Sequence, residues 1–367
     1  ARQVPPRDEL ELRLARIWED LLGVSAVGAT DDFFALGGHS LLAVRLLARI
    51  HTDLGCDLPL AILFDGATVE RLAGALRARS VAPRSRVLVP LAAAGRRPPV
   101  FFIHPAGGHV FCYLELARRL DTDQPSFGLQ FEVPDGAPRR EVRVEDLASR
   151  YLEEIRRIQP AGPYRLGGWS VGGVIAFEMA QQLAGQGEQV SLLALLDSHA
   201  PGGGRWQREG RGESARVRGF FTDLYGMAGI EGEPVPAARP GWRRRAPWDV
   251  LLAAARRAGA VPAGIEAAQV RAYFEIFTSV GAAARRYRPR PYRGRAVLFT
   301  AGQGHGDPTL GWKGLIAGGL ELVRVPGDHY DLLRPSAVEA VARQLTACLG
   351  GAEGGALGEP AAQGSNG

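Results

Sequence analysis

Tyr164-Arg165-Leu166-Gly167-Gly168-Trp169-Ser170-Val171-Gly172-Gly173 decides how the larger part of this chain folds. Residues 164–167 read as a short buried strand, and 171–182 carries apolar residues at helical spacing. Ser170 therefore stands at a sharp strand-to-helix turn. Gly168 and Gly172 remove side chains where such a turn brings backbone against backbone, leaving the serine at the tip with its hydroxyl exposed.

Outward from this turn, apolar runs recur at 100–103, 126–129, 190–196, 296–300 and 320–325. Helix-like stretches at 113–120, 144–158 and 336–349 lie between or after them. Strands alternating with helices imply a mostly parallel sheet covered on both faces. The alternation breaks at about 200–295, a segment too long for a connecting loop, with helical periods of its own at 249–257 and 267–280. An insertion of that kind reads as a helical lid.

The first 80 residues read differently. Helical periods cover 8–22, 40–52 and 69–79, with Thr68 as the N-cap of the last, and they predict a small helical bundle. Ser40 falls at a helix start. Residues 81–99, rich in Pro, Arg and Ala, read as a linker in which Val87-Leu88-Val89 can already open the next domain. Residues 100–349 form that larger domain, and 350–367, Gly- and Ala-rich without period, read as a disordered tail.

Composition narrows the function classes. Cys56, Cys112 and Cys348 lack the paired spacing of a disulfide framework or a zinc site. No apolar run has the roughly 18 residues a membrane helix needs, and no secretory leader pattern opens the chain, so a cytoplasmic location is expected without a membrane partner. The net charge of +5 rests on arginine, Lys313 being the only lysine, and is weak evidence for nucleic acid, which is not expected as a partner. Residues 1–80 hold 9 Arg against 11 Asp and Glu, whereas 200–295 hold 18 Arg against 8 acids. An acidic small domain could be steered to a basic one, although an Arg-rich solvated face reads equally well.

A serine hydroxyl is a weak nucleophile at neutral pH and needs a base, itself oriented by a carboxylate. Gly168-Trp169-Ser170-Val171-Gly172 in its strand-turn-helix setting resembles the nucleophile elbow of α/β-hydrolases, where the chain order is Ser, acid, His. His329, directly after the last predicted strand, is the expected base, with His305 in a Gly-rich loop as the alternative. Asp197 ends the strand after the elbow and is the favoured acid; Asp307, one strand later, competes with it, and Asp328 beside the histidine is expected to point elsewhere. The backbone N–H groups of Val171 and Ala106 are the expected oxyanion donors, since Pro105 has none to give. His104 is read as structural because it precedes Ser170.

On residue chemistry alone, Ser40 is an ordinary helix N-cap, in a place equally suited to an attached phosphate. Asp31-Asp32-Phe33-Phe34-Ala35-Leu36-Gly37-Gly38-His39-Ser40-Leu41-Leu42-Ala43, however, closely resembles the core of peptidyl carrier domains of nonribosomal peptide synthetases. His104-Pro105-Ala106-Gly107-Gly108, the elbow and Gly327-Asp328-His329 resemble the type I thioesterases that terminate such assembly lines. The resemblance implies 4′-phosphopantetheine on Ser40, an acid at Asp197, a peptidyl thioester substrate and release by hydrolysis or macrocyclisation. It also implies a phosphopantetheinyl transferase and upstream condensation and adenylation domains as partners. Two rival readings are a non-catalytic carrier scaffold and a lipase or esterase with an accessory helical domain. The lid matches no pattern that reveals the substrate.

Overall fold

The computed structural model describes residues 4–38, 40–56, 58, 60–63, 66–78, 87–132, 142–202, 212–230, 248–261, 265, 267–302 and 306–353. Three helices open it: α1 (Glu9–Leu22), α2 (Ser40–Leu54) and α3 (Val69–Ala78). Asp8 caps α1 by accepting from the Glu11 N–H, and Gly23 ends it at φ 67°, a conformation glycine takes without strain. Thr68 accepts weakly from the Arg71 N–H at 3.4 Å. Buried Leu14, Trp18, Leu42, Leu46, Ile50, Leu72 and Phe33 form the bundle's core, in which Trp18 meets Phe33 edge-on at 5.1 Å.

The remainder is built on one sheet of β1 (Leu88–Ala92), β2 (Val100–Ile103), β3 (Ser126–Leu129), β4 (Tyr164–Trp169), β5 (Val190–Leu196), β6 (Ala296–Ala301) and β7 (Leu320–Val325). Their order is β1-β3-β2-β4-β5-β6-β7, with β1 antiparallel to β3 and every other pair parallel. Strands covered on both faces must be apolar throughout, and β5 shows why. Leu193 and Leu195 pack with α5 (Val144–Arg156) and α6 (Val171–Gly185), while Leu192, Ala194 and Leu196 share the other core with α10 (Val338–Glu353). The second core is continuous with that of the bundle, so the two parts are packed together.

Among the described residues the 200–295 insertion contributes α7 (Glu213–Ala228), α8 (Trp248–Arg257) and α9 (Ala267–Arg286), with a core of their own around Phe220, Phe221, Trp248 and Val261. At its far end α9 places Val280, Ala283 and Ala284 in the main core, and Tyr287 just beyond it donates to Glu178 of α6. The insertion is thus tied to the main core through α9, which runs six residues past the expected 267–280.

Two boundaries differ from expectation. The stretch read as a linker contains β1, because Val87, Val89 and Leu91 alternate into the core, and Pro90 is tolerated on an edge strand. Of the predicted linker, 81–86 lie outside the described residues. The tail begins later than residue 350: α10 continues to Glu353, its buried Leu345 and Leu349 holding the last turns down, and 354–367 lie outside the described residues. A short α4 (Leu114–Ala117), entered through a single 3-10 turn at Phe111–Tyr113, stands where a helix over 113–120 is expected.

Candidate active site

The elbow after β4 is held by close backbone approaches that only glycine permits. A Cβ on Gly168 would lie 2.2 Å from the Gly172 carbonyl carbon, and one on Gly172 would lie 2.3 Å from the Ile103 carbonyl oxygen. Ser170 at the tip has φ 57° and ψ −125°, a strained backbone for a residue with a side chain. Its N–H donates to Leu196 O at 3.0 Å and its carbonyl accepts from the Gly173 N–H at 3.2 Å, so the strain is fixed from both sides.

Asp197 and His329 meet 132 residues apart in sequence, with His329 Nδ1 2.6 Å from Asp197 Oδ2. Asp197 also sits at positive φ, 41°, where its N–H donates to Phe299 O and its Oδ1 accepts from the Ala301 N–H at 3.0 Å. Burial raises this carboxyl's pKa, but the His329 hydrogen bond and charge together with the Ala301 N–H outweigh that, and the net shift is downward. Asp197 is therefore an anion at neutral pH.

The other acids have local duties. Asp307 accepts from the N–H and hydroxyl of Thr309 and from the Gly311 N–H, closing its own exposed loop. Asp328 accepts from the Tyr330 and Asp331 N–H groups, likewise within a turn. His305 lies outside the described residues.

Trp169 joins the elbow to the histidine. Its ring stacks on His329 at 4.7 Å and 28°, and its Nε1–H donates to the His329 carbonyl at 3.0 Å. Since Trp169 directly precedes Ser170, this contact holds the imidazole beside the elbow, although Ser170 and His329 form no direct hydrogen bond here. Such bonds often tighten only around bound substrate. Sequence reasoning missed Trp169, and the signal available was a large aromatic inside an otherwise small-residue turn. It also missed Tyr113, whose hydroxyl donates to Ile103 O at 2.6 Å and accepts from the Trp169 N–H at 2.7 Å.

His104 is fully buried between the Pro105 carbonyl and the Tyr151 hydroxyl, each 2.7 Å from a ring nitrogen, so it holds the loop after β2 together. The N–H groups of Ala106, on that loop, and Val171, at the start of α6, have no hydrogen-bond partner among the described residues. Ala106 packs into the same core as Val171.

The helical bundle meets the larger part near this centre. Phe34 packs against Phe111 at 6.1 Å, Arg118 lies 5.9 Å over the Phe34 ring, and the Arg118 guanidinium pairs with Asp32 Oδ2 at 3.0 Å. Arg118 lies outside the Arg-rich 200–295 segment, many of whose arginines fall outside the described residues. A cavity of about 430 Å³ runs along the seam, with Phe34, Ala35 and Gly38 on one side and Trp169, Met227 and Tyr330 on the other. Gly38 lies flat on Phe33, where a Cβ would come within 2.3 Å of the ring, and two residues later Ser40 opens α2.

Known proteins place this architecture. Residues 98–349 match the family of thioesterase domains, and residues 13–76 match the family of phosphopantetheine attachment sites. The chain belongs to the thioesterase family. The thioesterase is similar to a dimodular nonribosomal peptide synthase of Bacillus subtilis, 32% identical over 351 residues that cover 94% of this chain and 14% of that protein. It is 40% identical over 200 residues to an indigoidine synthase of Dickeya dadantii, covering 54% of this chain and 13% of the relative. The chain therefore spans well under a fifth of either relative. Among solved structures, a four-domain nonribosomal peptide synthetase bound to AMP and glycine superposes at TM-score 0.65 and 32% identity, over 94% of this chain and 26% of its own. The NocB thioesterase domain of the nocardicin cluster superposes at 0.54 and 27%, over 73% of this chain and all of its own.

The phosphopantetheine implied by residues 13–76 fits what stands here. Ser40 lies within the matched residues and opens α2 two positions after Gly38, which lines the seam cavity together with Trp169 and Tyr330. No helix among the described residues is long and apolar enough to cross a membrane, and no cluster of His, Cys, Asp or Glu there could hold a metal ion.

Proposed function

We propose that this chain is the terminal carrier and thioesterase of a nonribosomal peptide synthetase, with Ser40 as the modified serine and Ser170, His329 and Asp197 as the catalytic triad. The observation that carries the reading is the seam cavity, which connects the turn before Ser40 to Trp169, the residue that both precedes Ser170 and stacks on His329. Residues 1–80 act as the carrier and about 200–295 as the lid over the acyl group. When bound, phosphopantetheine supplies a flexible thiol that presents the acyl group as a thioester.

Ser170 Oγ attacks the acyl carbonyl while His329 Nε2 takes the hydroxyl proton. Asp197 accepts from His329 Nδ1–H, which fixes the tautomer and stabilises the imidazolium that forms. The Ala106 and Val171 N–H groups receive the oxyanion, and loss of such a donor typically slows acyl transfer about 10²- to 10³-fold. The C–S bond breaks, His329 returns its proton to the departing sulfur, and the acyl group is left as an ester on Ser170. Water, or an amine or hydroxyl of the acyl chain itself, then gives its proton to His329 and attacks the ester carbonyl; the bond to Ser170 Oγ breaks, His329 returns the proton to that oxygen, and an acid or a ring leaves. Upstream condensation and adenylation domains and a phosphopantetheinyl transferase are the partners this role requires.

The test is to load the full chain with an acyl-pantetheine and follow release in wild type and Ser170→Ala. The account expects the variant to keep its acyl thioester while wild type turns it over. Release by Ser170→Ala at the wild-type rate refutes it.

A further inference from the structure

The cavity beneath the lid, about 290 Å³, is walled mostly by aliphatic side chains such as Leu224, Val261, Ile265, Val270 and Ile276. Two rings with polar atoms interrupt that lining. His109, three residues after Ala106, and Tyr273, from lid helix α9, stack with centroids 5.6 Å apart and planes 18° from parallel. Neither side chain hydrogen-bonds to any described residue, whereas His104, on the same loop, has both ring nitrogens satisfied. The remaining polar lining groups are Arg45, contributed by α2, and Gln269, which has a partner of its own.

The position of the pair is set by Gly107. A Cβ there would lie 2.0 Å from the Tyr273 hydroxyl, so the phenol is laid directly on the loop that carries the Ala106 N–H, and only glycine lets the lid helix come that close. Burial draws the His109 pKa down to about 4, leaving a neutral ring with one N–H and one lone pair at neutral pH. A phenol and a neutral imidazole that no described side chain meets, half-buried in an apolar cavity, are open to a ligand that supplies those bonds in place of water. A hydrocarbon chain supplies none. A secondary amide supplies a carbonyl for the Tyr273 O–H and an N–H for the imidazole lone pair.

Resting on the acyl-enzyme reading above, we propose that His109 and Tyr273 are the specificity-determining polar anchor of the lid cavity, selecting an aliphatic-rich acyl chain with a secondary amide next to its reacting end. The pair touches the acyl group rather than the leaving thiol. It therefore discriminates between acyl chains that share one thiol.

The experiment compares N-butanoylalanyl and 2-methylheptanoyl thioesters of the same soluble thiol, which match in backbone length and branching and differ in the amide, on the full chain, Tyr273→Phe and His109→Phe. Wild type is expected to prefer the amide-bearing thioester in kcat/KM. That preference falls about tenfold in each variant, the worth of one well-made hydrogen bond, and the loss is carried by KM. An unchanged ratio, with both substrates slowed together, overturns the anchor and makes the pair merely structural. Should a variant not fold, wild type decides alone, since a ratio near one overturns the proposal. Ser170→Ala run in parallel separates the two readings: its turnover of either thioester at the wild-type rate refutes the acyl-enzyme, whereas a dead Ser170→Ala with an unchanged ratio refutes only the anchor.

Discussion

Asp197 accepts from both His329 and the Ala301 N–H, so its replacement by Asn leaves the fold intact but offers His329 an amide that can hold the wrong tautomer. Asp197→Asn is expected to lower kcat about 10⁴-fold with KM little changed, whereas Asp307→Asn leaves kcat within about twofold. Steady-state rates with one soluble thioester decide this, and equal losses at both positions would contradict the pairing. The turn at Ser170 and the position of His329 after the last strand were legible from a glycine-flanked motif and from strand order. The choice between Asp197 and Asp307 was open, since both follow strands, and only the turn bonds from Thr309 and Gly311 show why Asp307 is occupied elsewhere. His104 gives a stability prediction at the same scale. Burial holds its pKa near 4 against an ordinary 6.5, so the unfolded chain binds more protons between those values. Stability is therefore full above about pH 6.5 and falls as pH drops towards 4, by up to about 3 kcal/mol from this group. Urea midpoints across that window should show a steeper fall for wild type than for His104→Gln, and parallel curves would contradict it.

The elbow is an arrangement of elements as much as of residues, because β4, α6 and the end of β2 meet within van der Waals contact. Gly172→Ala places a methyl against the Ile103 carbonyl and is expected to cost about 3 kcal/mol. Gly185→Ala near the end of α6, where a Cβ meets nothing, should instead be neutral or stabilising by up to about 1 kcal/mol. Thermal melts of the two variants check this, and similar melting temperatures would contradict it. Strand and helix order was legible from apolar periodicity, because strands buried on both faces must be apolar at every position. The edge was harder. β1 passes for a linker because an edge strand needs only one ladder partner and so tolerates Pro90. In the 200–295 insertion α8 and α9 were legible as helices and α7 was not, and their pairing was hidden because the aromatic cluster around Phe220 and Trp248 draws on residues from three separate helices.

For the molecule as a whole, the bundle packs against the sheet domain through one continuous core, and the proposed transfer requires that contact. Asp32 and Arg118 are partly exposed, so their pairing is worth only about 0.2–1 kcal/mol, and it weakens with salt. Arg118→Gln is expected to slow transfer from the loaded carrier by about twofold without altering turnover of a soluble thioester. It should add nothing further in an Asp32→Asn background, which keeps the turn bonds from Phe34 and Ala35. Full additivity in that double-mutant cycle would contradict the contact. Charge composition is a sum over residues 200–295, many of whose arginines lie outside the described residues, and it does not name the Arg118 contact, which comes from another segment. The central claim is that an acyl group crosses this seam to Ser170. Quenching the acyl-loaded full chain within one turnover and mapping the acyl mass by peptide fragmentation tests it most directly. The account predicts a transient ester on the peptide containing Ser170, absent in Ser170→Ala; release of product with no acyl group ever appearing on that peptide would contradict it.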